Sequence, residues 1–401
     1  MRRDYPFVIL GGGMTAASAV KGIRQVNADL PIGIIAAENH PPYNRPPLSK
    51  GLWKGKPVEK IWRGTDSVPG VSLHLGRRGV RLDTAAKIVR DDAGDEYGYG
   101  KLLLAMGGTP RRLPFGGDRV IYFRTLDDYE KLRQAARPGT KFAVIGGGFI
   151  GSEVAASLRG TGADVSLYFP DAGIGARIFP PDLSENLNEY YREQGVDVRP
   201  GERVMGIEPR DLGAAVTSAP SASSGGPERI QEFDGVVAGI GIVPNVELAA
   251  AAGIEVQDGV VVADDLRTSA GDVFAAGDLA SFSSPTLGRR LRVEHEDNAN
   301  TMGLAAGRSM AGQPEPYRHL SFFYSDLFDL GYEAVGELDS RLQIFADWQE
   351  PFRKGVLYYL GDGRLRGVLL WNVWDQVDHA RKLITEAGPV RLEDLKGRLP
   401  A

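Results

Sequence analysis

Two glycine clusters, each placed after a short apolar run, are the residues of this 401-residue chain best suited to bind phosphorylated cofactors. They are Gly11-x-Gly13-x-x-Ala16 and Gly146-x-Gly148-x-x-Gly151. The first two glycines let the backbone turn sharply and approach a pyrophosphate, and a small third residue allows close helix–strand packing. The helix N-terminus adds partial positive charge. We therefore predict two dinucleotide sites.

A carboxylate follows each glycine cluster. Glu38 comes after the second strand of the first unit, where it could accept hydrogen bonds from ribose hydroxyls. Asp171 holds a similar place in the second unit, slightly beyond the usual position. No pair of arginines stands there to bind a 2′-phosphate, which favours NADH over NADPH, although Arg177 lies nearby.

Two further turns could contact the same cofactors. Gly277 and Asp278 follow the apolar residues 273–275, and they match the place where flavoproteins with two dinucleotide sites hold the ribityl chain and pyrophosphate of FAD. The second turn runs from Gly107 to Arg111 after another apolar run. Together with Glu38 these turns predict a complete site for one non-covalent FAD.

A proline-rich segment, residues 42–50, is the most specific stretch of the chain. Because prolines restrict the backbone, they present Arg45 and Lys50 rigidly. A stiff surface loop without function is the alternative interpretation of the same residues.

The elements around these motifs predict an α/β protein. Strand, glycine turn, helix and strand follow one another over residues 6–35 and again over 141–169, so we expect two Rossmann-like nucleotide-binding domains. The predicted domains are an FAD-binding domain of residues 1–114 and 242–316, an NADH-binding domain of 115–241, and a C-terminal α+β domain of 317–401. Residues 213–228 are expected to form a flexible turn without function.

Composition narrows the possible functions. The chain has no cysteine, which excludes disulfides, thiolate metal sites and a cysteine nucleophile, and its 5 histidines are scattered, so no metal site is expected. A net charge of −5 gives no basic field for nucleic acid or an anionic membrane. No apolar run reaches the roughly 20 residues of a membrane span. Because a strand begins almost at the first residue, we expect no targeting peptide and a cytoplasmic protein.

Several segments together resemble the apoptosis-inducing-factor-like NADH oxidoreductases, within the wider ferredoxin reductase and glutathione reductase superfamily. The segments that carry the resemblance are Arg45-Pro46-Pro47-Leu48-Ser49-Lys50, Gly146-Gly147-Gly148-Phe149-Ile150-Gly151-Ser152-Glu153, Phe169-Pro170-Asp171, Pro244-Asn245-Val246-Glu247-Leu248, Gly288-Arg289-Arg290, Arg292-Val293-Glu294-His295, Phe323-Tyr324-Ser325-Asp326, Gly331-Tyr332-Glu333-Ala334 and Leu370-Trp371-Asn372.

The resemblance implies roles for individual residues. Lys50 and Glu153 would form an ion pair beside the reactive edge of the flavin, and Phe149 would lie where nicotinamide stacks. Glu294 and His295 correspond to residues near the nicotinamide carboxamide. The wider set of cofactor-binding residues that we predict also includes Gly241 and Tyr324.

Two departures from the resembled family bear on function. Tyr324 stands where apoptosis-inducing factor has tryptophan, so we expect weaker aromatic stacking near the nicotinamide. The long insertion of the animal protein is missing between Ala346 and Gly355, which leaves an apoptotic partner interaction unsupported.

The resemblance implies hydride transfer from NADH to FAD, and two functions remain open for the second half-reaction. In the first, the reduced protein forms a charge-transfer complex, reoxidises slowly and acts as a redox sensor, with a redox-dependent homodimer among its implied states. In the second, it is an NADH-dependent ferredoxin reductase. Oxygen, a quinone or a ferredoxin would be the acceptor. A disulfide reductase is excluded by the absence of cysteine.

Overall fold

The computed structural model describes residues 1–221, 226–386 and 388–400. The chain forms two compact units, each made of three segments. The first unit contains residues 1–45, 57–109 and 243–323; the second contains 46–56, 110–242 and the chain from 324 onward. The predicted division into FAD-binding, NADH-binding and C-terminal domains stays a prediction.

Helices and strands of the described residues are numbered separately, each in chain order. The helices are α1 (Met14–Val26), α2 (Leu126–Ala135), α3 (Phe149–Gly160), α4 (Pro181–Glu193), α5 (Glu247–Ala251), α6 (Glu296–Met310) and α7 (Val377–Thr385). The strands are β1 (Arg2–Leu10), β2 (Ile32–Ile35), β3 (Val71–His74), β4 (Gly79–Asp83), β5 (Ile88–Asp91), β6 (Glu96–Leu104), β7 (Gly108–Pro110), β8 (Val120–Tyr122), β9 (Lys141–Ile145), β10 (Asp164–Phe169), β11 (Val196–Pro200), β12 (Glu202–Pro209), β13 (Ala214–Pro220), β14 (Arg229–Phe233), β15 (Gly235–Ala238), β16 (Ile242–Pro244), β17 (Val256–Gln257), β18 (Gly259–Val261), β19 (Val273–Ala275), β20 (Ala280–Ser284), β21 (Arg289–Leu291), β22 (Phe322–Leu327), β23 (Leu330–Gly336), β24 (Gln343–Glu350), β25 (Lys354–Gly361) and β26 (Arg364–Trp371).

A mostly parallel sheet forms the centre of the first unit. Its strand order is β3-β2-β1-β6-β5-β4, and β19 pairs with β6 as well. Strands β1, β2, β3, β6 and β19 run parallel, whereas β5 pairs antiparallel with both β6 and β4. The apolar strands β1 and β2 end in fully buried residues, as expected for parallel strands covered on both faces. A smaller sheet of order β17-β18-β20-β21 completes this unit.

Helices α1 and α6 pack with their backbones in contact, because glycines stand at the crossing. A Cβ on Gly22 would overlap the carbonyl of Leu304, and one on Gly307 would overlap the carbonyl of Ala19. Gly303 meets the backbone of Thr15 in the same way. This close packing fixes the direction of α1, and α1 begins at the first glycine turn.

The second unit contains a parallel sheet of order β11-β10-β9-β15-β8, with α3 connecting β9 to β10. An antiparallel sheet, β12-β13-β14, follows. The prediction of a turn over residues 213–228 is wrong in part, because residues 214–220 form β13, the central strand of this sheet. Small residues such as Ala214 and Ala215 are buried there, so a composition typical of loops concealed a strand. Residues 222–225 lie outside the described part of the chain.

The C-terminal sheet has the order β22-β23-β26-β25-β24, and its central strands are antiparallel. Tyr332 and Trp371 stack in its core with ring centroids 5.6 Å apart. Strands β24 and β25 form a direct antiparallel hairpin, in which Glu350 pairs with Lys354. Two parallel Rossmann-like sheets and a C-terminal sheet confirm the predicted fold class. Among the described residues, no helix has both the length and the apolar character needed to cross a membrane.

Candidate functional site

The first glycine turn joins β1 to α1, and each glycine is required for a different reason. Gly11 has a φ of 122°, and a Cβ there would overlap the carbonyl oxygen of Ala105. Gly12 would meet the side chain of Ala36. By contrast, a Cβ on Gly13 would contact no protein atom within 4 Å. Protein packing therefore does not explain Gly13, whereas a pyrophosphate approaching the N-terminus of α1 would. The third small residue, Ala16, is fully buried.

Glu38 is held in an ordered polar cluster at the end of β2. Its carboxylate accepts a hydrogen bond of 2.6 Å from the Tyr43 hydroxyl and forms an ion pair with Arg45. The Arg45 guanidinium also lies over the Tyr43 ring. Although burial opposes charge on Arg45, the neighbouring Tyr43 and Glu38 raise the pKa of its guanidinium overall. A carboxylate oxygen can accept more than one hydrogen bond, so Glu38 can still bind ribose hydroxyls.

The turn at Gly277 packs against the first glycine helix. Gly277 has a φ of 79°, and a Cβ there would overlap the Thr15 hydroxyl of α1. The carbonyl of the next residue, Asp278, accepts a hydrogen bond of 3.1 Å from Arg292, which also pairs with Glu294 at 2.6 Å. Two predicted cofactor residues, Asp278 and Glu294, are thus joined through an arginine that sequence analysis did not select.

Gly107 and Arg111, the two ends of the predicted turn, belong to different units and have different backbone partners. The Gly107 carbonyl accepts a hydrogen bond from the Asn245 backbone within the first unit. Arg111 lies in the second unit, where its backbone N–H donates to Gly241, a glycine with a φ of 90°. The structure therefore brings Arg111 to Gly241, both of which we predicted, while their cofactor contacts stay predictions.

His295 is the residue immediately before α6. Its ring stacks on Phe323 with centroids 4.2 Å apart. Burial lowers the pKa of His295 to about 4, although the charges of Asp278 and Asp297 oppose the shift. The imidazole is therefore neutral at physiological pH, so it can both donate and accept a hydrogen bond, as binding of a carboxamide requires.

The second glycine turn, between β9 and α3, repeats the construction of the first. Gly146 has a φ of 116° and closely approaches Gly239, and a Cβ on Gly151 would overlap the Gly146 carbonyl. A Cβ on Gly148, like one on Gly13, would contact no protein atom within 4 Å. The helix then begins with Phe149, a large apolar side chain that is 37% exposed. This turn fits a second dinucleotide for the same physical reasons.

One turn into α3, Glu153 forms a polar cluster in which both of its carboxylate oxygens have partners. Its carboxylate is 2.7 Å from the Lys50 ammonium, and the side chain of Glu153 is only 2% exposed. Ser325 donates to the same carboxylate oxygen at 2.6 Å, and Ser49 donates to the other at 2.5 Å. We call Lys50, Glu153, Ser49 and Ser325 the buried carboxylate cluster. The predicted Lys50–Glu153 pair is present, and both members are fixed in position.

Aromatic rings surround the buried carboxylate cluster. The Lys50 ammonium lies over the Tyr324 ring, 5.2 Å from its centroid. Burial, followed by the negative charge of Glu153, raises the pKa of Tyr191 above its ordinary value. The Tyr191 hydroxyl donates to the carbonyl of Ser152. Lys50 is thus held between the carboxylate of Glu153 and the aromatic face of Tyr324, in a cation–π contact.

Asp171 and Arg177 lie together beyond the end of β10. Their nearest side-chain atoms are 3.5 Å apart, and the Arg177 side chain is largely exposed. The two residues that we expected to favour NADH and NADPH respectively are therefore neighbours.

Sequence analysis missed several residues of these clusters, chiefly hydroxyl donors and a stacking ring. Ser49 and Ser325 belong to segments that carried the resemblance, so a signal for them existed, yet nothing local indicated that both donate to Glu153. Phe323 was likewise quoted only as part of its segment. Their functions depend on contacts between residues far apart in sequence, which spacing alone does not predict.

Comparison with known proteins places these sites in a family. A family model described as pyridine nucleotide-disulphide oxidoreductase matches residues 5–303. A second, for the C-terminal part of mitochondrion-associated apoptosis-inducing factor, matches residues 306–350 and 345–386. The two segments of the second match meet at the direct hairpin of β24 and β25.

Two curated relatives and one solved structure are similar over nearly the whole chain. Apoptosis-inducing factor 1, mitochondrial, of Dictyostelium discoideum is 32% identical, covering 98% of this chain and 80% of the relative. The ferredoxin–NAD(+) reductase component of the anthranilate 1,2-dioxygenase system of Burkholderia cepacia is 33% identical, with 94% of each chain covered. The crystal structure of the covalent putidaredoxin reductase–putidaredoxin complex matches with a TM-score of 0.89 and 28% identity, covering 97% of this chain and 95% of that one.

The first family match spans most of the chain, including both glycine turns. The resemblance stated from the sequence is confirmed, as are the predicted cofactors, FAD and NAD(H), and the predicted class of enzyme. The chain belongs to the pyridine nucleotide-disulphide oxidoreductase family and is an FAD- and NAD(H)-dependent oxidoreductase.

Proposed function

We propose that this protein transfers hydride from NADH to bound FAD, and that the reduced protein holds NAD⁺ in a charge-transfer complex that oxygen consumes slowly. The buried carboxylate cluster carries the proposal. Its carboxylate, that of Glu153, accepts hydrogen bonds from Ser49 and Ser325 and holds the Lys50 ammonium in place. FAD, when bound, accepts hydride and passes electrons onward.

The residues of the chain orient the cofactors and supply charge. Gly13 and Glu38 of the first unit would hold the pyrophosphate and ribose of FAD, with Arg45, Gly277 and Asp278 completing the site. In the second unit Gly146, Gly148 and Gly151 would hold the pyrophosphate of NADH, and the exposed Phe149 ring would offer its face for stacking. The role of His295 would be to bind the carboxamide through its neutral imidazole. No thiol takes part, since the chain has no cysteine.

Lys50 would favour the anionic reduced flavin. Its side chain is 11% exposed and has only limited access to water, so its charge is poorly screened. Glu153 would act by positioning Lys50, because the carboxylate itself is buried and already accepts three hydrogen bonds. The pair therefore provides oriented charge without needing to exchange protons.

The reduced protein has two possible functions, a sensing role with slow reoxidation and electron transfer to a ferredoxin-type protein, and a separate observation favours each. The match of residues 306–350 and 345–386 to the C-terminal part of apoptosis-inducing factor favours slow reoxidation and a sensing role. Similarity to a ferredoxin–NAD(+) reductase component and to putidaredoxin reductase favours a ferredoxin-type protein as acceptor. We place slow reoxidation first, because its C-terminal match covers the segment that contains Tyr324 and Ser325.

Anaerobic titration with NADH tests the proposal. We expect a broad long-wavelength absorption band on reduction, followed by slow loss of that band in air. Tyr324→Trp should lengthen the life of the band, because a larger ring offers more stacking area, and Tyr324→Phe is the matched control. Light scattering on the same samples would detect an NADH-dependent homodimer.

The same experiment decides between the two acceptors. If no band forms and the reduced protein reoxidises in air within a fraction of a second, the sensing role is refuted. Fast reoxidation by an added [2Fe–2S] ferredoxin, with slow reoxidation by oxygen and quinone, would instead establish the ferredoxin reductase function.

A further inference from the structure

Residues 171–180 form a loop that begins at Asp171, includes Arg177 and leads into α4. We call it the 171–180 loop. Near its middle the Gly175 backbone N–H donates to the carbonyl of Gly147, the middle glycine of the second glycine turn, at 2.9 Å. The loop therefore contacts the proposed pyrophosphate site directly, while carrying the two charged residues that could recognise a ribose.

Helix α4, which follows the loop and leads to β11 of the parallel sheet, holds the first half of the loop through two of its side chains. The Asn188 side chain accepts a hydrogen bond from the Ile174 backbone and donates one to the carbonyl of Ala172. Ser184 donates to the carbonyl of Ile174 at 2.7 Å. These contacts fix the first half of the loop, up to Ile174.

The second half is held by the C-terminal sheet. The Ser340 backbone N–H donates to the carbonyl of Arg177 at 3.0 Å. On the neighbouring residue, the Ile178 carbonyl accepts a hydrogen bond of 2.8 Å from the Tyr359 hydroxyl of β25. The Arg177 carbonyl is thus bonded to the turn between β23 and β24, and the Ile178 carbonyl to β25 itself, both far away in sequence.

The next residue inserts into the core of that sheet. Phe179 is 2% exposed and packs edge-to-face on Tyr332 and Trp371, at centroid distances of 5.3 and 5.5 Å. An aromatic pair of this geometry contributes beyond simple burial of area. Three consecutive residues of the loop, 177–179, therefore take their positions from the C-terminal sheet.

From these contacts we propose that the C-terminal sheet determines selectivity for the adenosine ribose of the nicotinamide nucleotide, with Ser340 and Tyr359 as positioning residues that act through the 171–180 loop. Neither residue touches the nucleotide. They fix the backbone that carries Arg177, and so its distance from Asp171. The inference rests on the proposed role of Asp171 and Arg177 at the ribose.

Ser340 offers a sharp test because only its backbone N–H is involved. It occupies the second position of a β-turn closed by a hydrogen bond from Leu342 to Asp339, a position that proline favours. Ser340→Pro should therefore keep the turn while removing the donor to Arg177, whereas Ser340→Ala keeps the donor. For the second bond, Tyr359→Phe removes the hydroxyl that bonds the loop. Its matched control is Tyr358→Phe, which loses a hydroxyl bonded instead to Leu399.

The measurements are KM for NADH and for NADPH, the limiting rate of flavin reduction, and the melting temperature of the FAD-loaded protein. We expect Ser340→Pro and Tyr359→Phe each to raise KM for NADH about two- to tenfold, the range set by one net hydrogen bond. As KM for NADH rises, the ratio of kcat/KM for NADH to kcat/KM for NADPH should fall, while the limiting rate of flavin reduction stays unchanged. Ser340→Ala and Tyr358→Phe should leave KM and the ratio at wild-type values.

Variants of Asp171 and Arg177 distinguish a failure of the proposed ribose site from a failure of the positioning role. If Asp171→Ala and Arg177→Ala leave KM and the nucleotide ratio unchanged, the proposed ribose site is wrong, and the inference falls with it. If those variants change the ratio but Ser340→Pro matches Ser340→Ala, the positioning role alone is refuted. A lower melting temperature with an unchanged nucleotide ratio would likewise overturn it, since the contacts would then be merely structural.

Discussion

Replacing Glu153 with glutamine removes the negative charge of the buried carboxylate cluster and preserves its shape. The amide oxygen can accept from Lys50 and Ser325, which both bond to the same carboxylate oxygen in the native protein. The amide nitrogen would face Ser49, whose hydroxyl can accept that hydrogen bond and turn its own proton towards the Pro46 carbonyl, 3.5 Å away. Glu153→Gln therefore tests charge, with the hydrogen bonds largely maintained.

The expected cost follows from the burial of the pair. Breaking a buried ion pair costs about 3–5 kcal/mol, because one charge is left uncompensated. Lys50 retains some access to solvent at 11% exposure, and the glutamine still accepts hydrogen bonds, so the lower part of that range applies. We expect Glu153→Gln to reduce the free energy of unfolding by about 3 kcal/mol.

The effect on activity should be larger than the effect on binding. If Glu153 positions Lys50, the limiting rate of flavin reduction by NADH should fall about tenfold or more, as when an oriented charge is lost from an active site. KM for NADH should change little. Anaerobic stopped-flow mixing measures both. The matched control is Glu189→Gln, since Glu189 lies on the exposed side of α4 and forms a surface ion pair with Arg192 three residues on.

A double-mutant cycle with Lys50→Met makes the prediction refutable. Because Glu153 is expected to act through Lys50, adding Glu153→Gln to Lys50→Met should slow flavin reduction little further. A full additional loss in the double variant would show that Glu153 acts independently. A wild-type limiting rate in Glu153→Gln would refute the positioning argument altogether.

The remaining predictions concern the cofactor turns, His295 and the attachment of flavin. Gly13→Ala and Gly148→Ala should leave the unfolding midpoint of the cofactor-free protein unchanged, since the added methyl contacts no protein atom within 4 Å, but should lower FAD content and NADH affinity respectively. Absorbance and titration measure these effects, and Gly151→Ala, which overlaps the Gly146 carbonyl, should destabilise the fold as well. Because the pKa of His295 is lowered from 6.5 to about 4, its contribution to stability is fully present above pH 6.5 and lost as the pH falls towards 4. The difference in urea midpoint between pH 7 and pH 5 should therefore shrink in His295→Gln and stay the same in the surface variant His379→Gln. Acid precipitation should release the flavin into the supernatant, and a yellow pellet would exclude non-covalent binding.

The glycine turns could be predicted from sequence because their causes are local. A strand, three glycines and a helix lie within about 30 consecutive residues of a βαβ unit, and spacing alone defines the turn. The ends of the strands were predicted less well: β1 begins at Arg2, ahead of the apolar run Phe7–Leu10. Its first three residues, Arg2 to Asp4, are charged and no more than half-buried, yet they pair with β6, so periodicity gave no indication of them.

The buried carboxylate cluster could be predicted only in part. Lys50 and Glu153 were paired through the resemblance, whereas the two serines depend on contacts across more than a hundred residues of sequence. For the 171–180 loop, the charged residues Asp171 and Arg177 were visible. The anchors Ser340 and Tyr359 were not, because a backbone donor and a tyrosine on a strand carry no sequence signature.

The residue types of the buried carboxylate cluster indicate a chemical role rather than a purely structural one. Well-packed apolar residues of similar volume are often as stabilising as a buried ion pair, or more so, because two charges must lose their hydration. Stability alone therefore does not account for an ammonium, a carboxylate and two hydroxyls assembled from three distant segments of the second unit. A role in holding one positive charge in place explains the same cluster. Glu153 is fully satisfied by its donors, so Lys50 is the charged group that keeps some exposed surface, and it faces the ring of Tyr324.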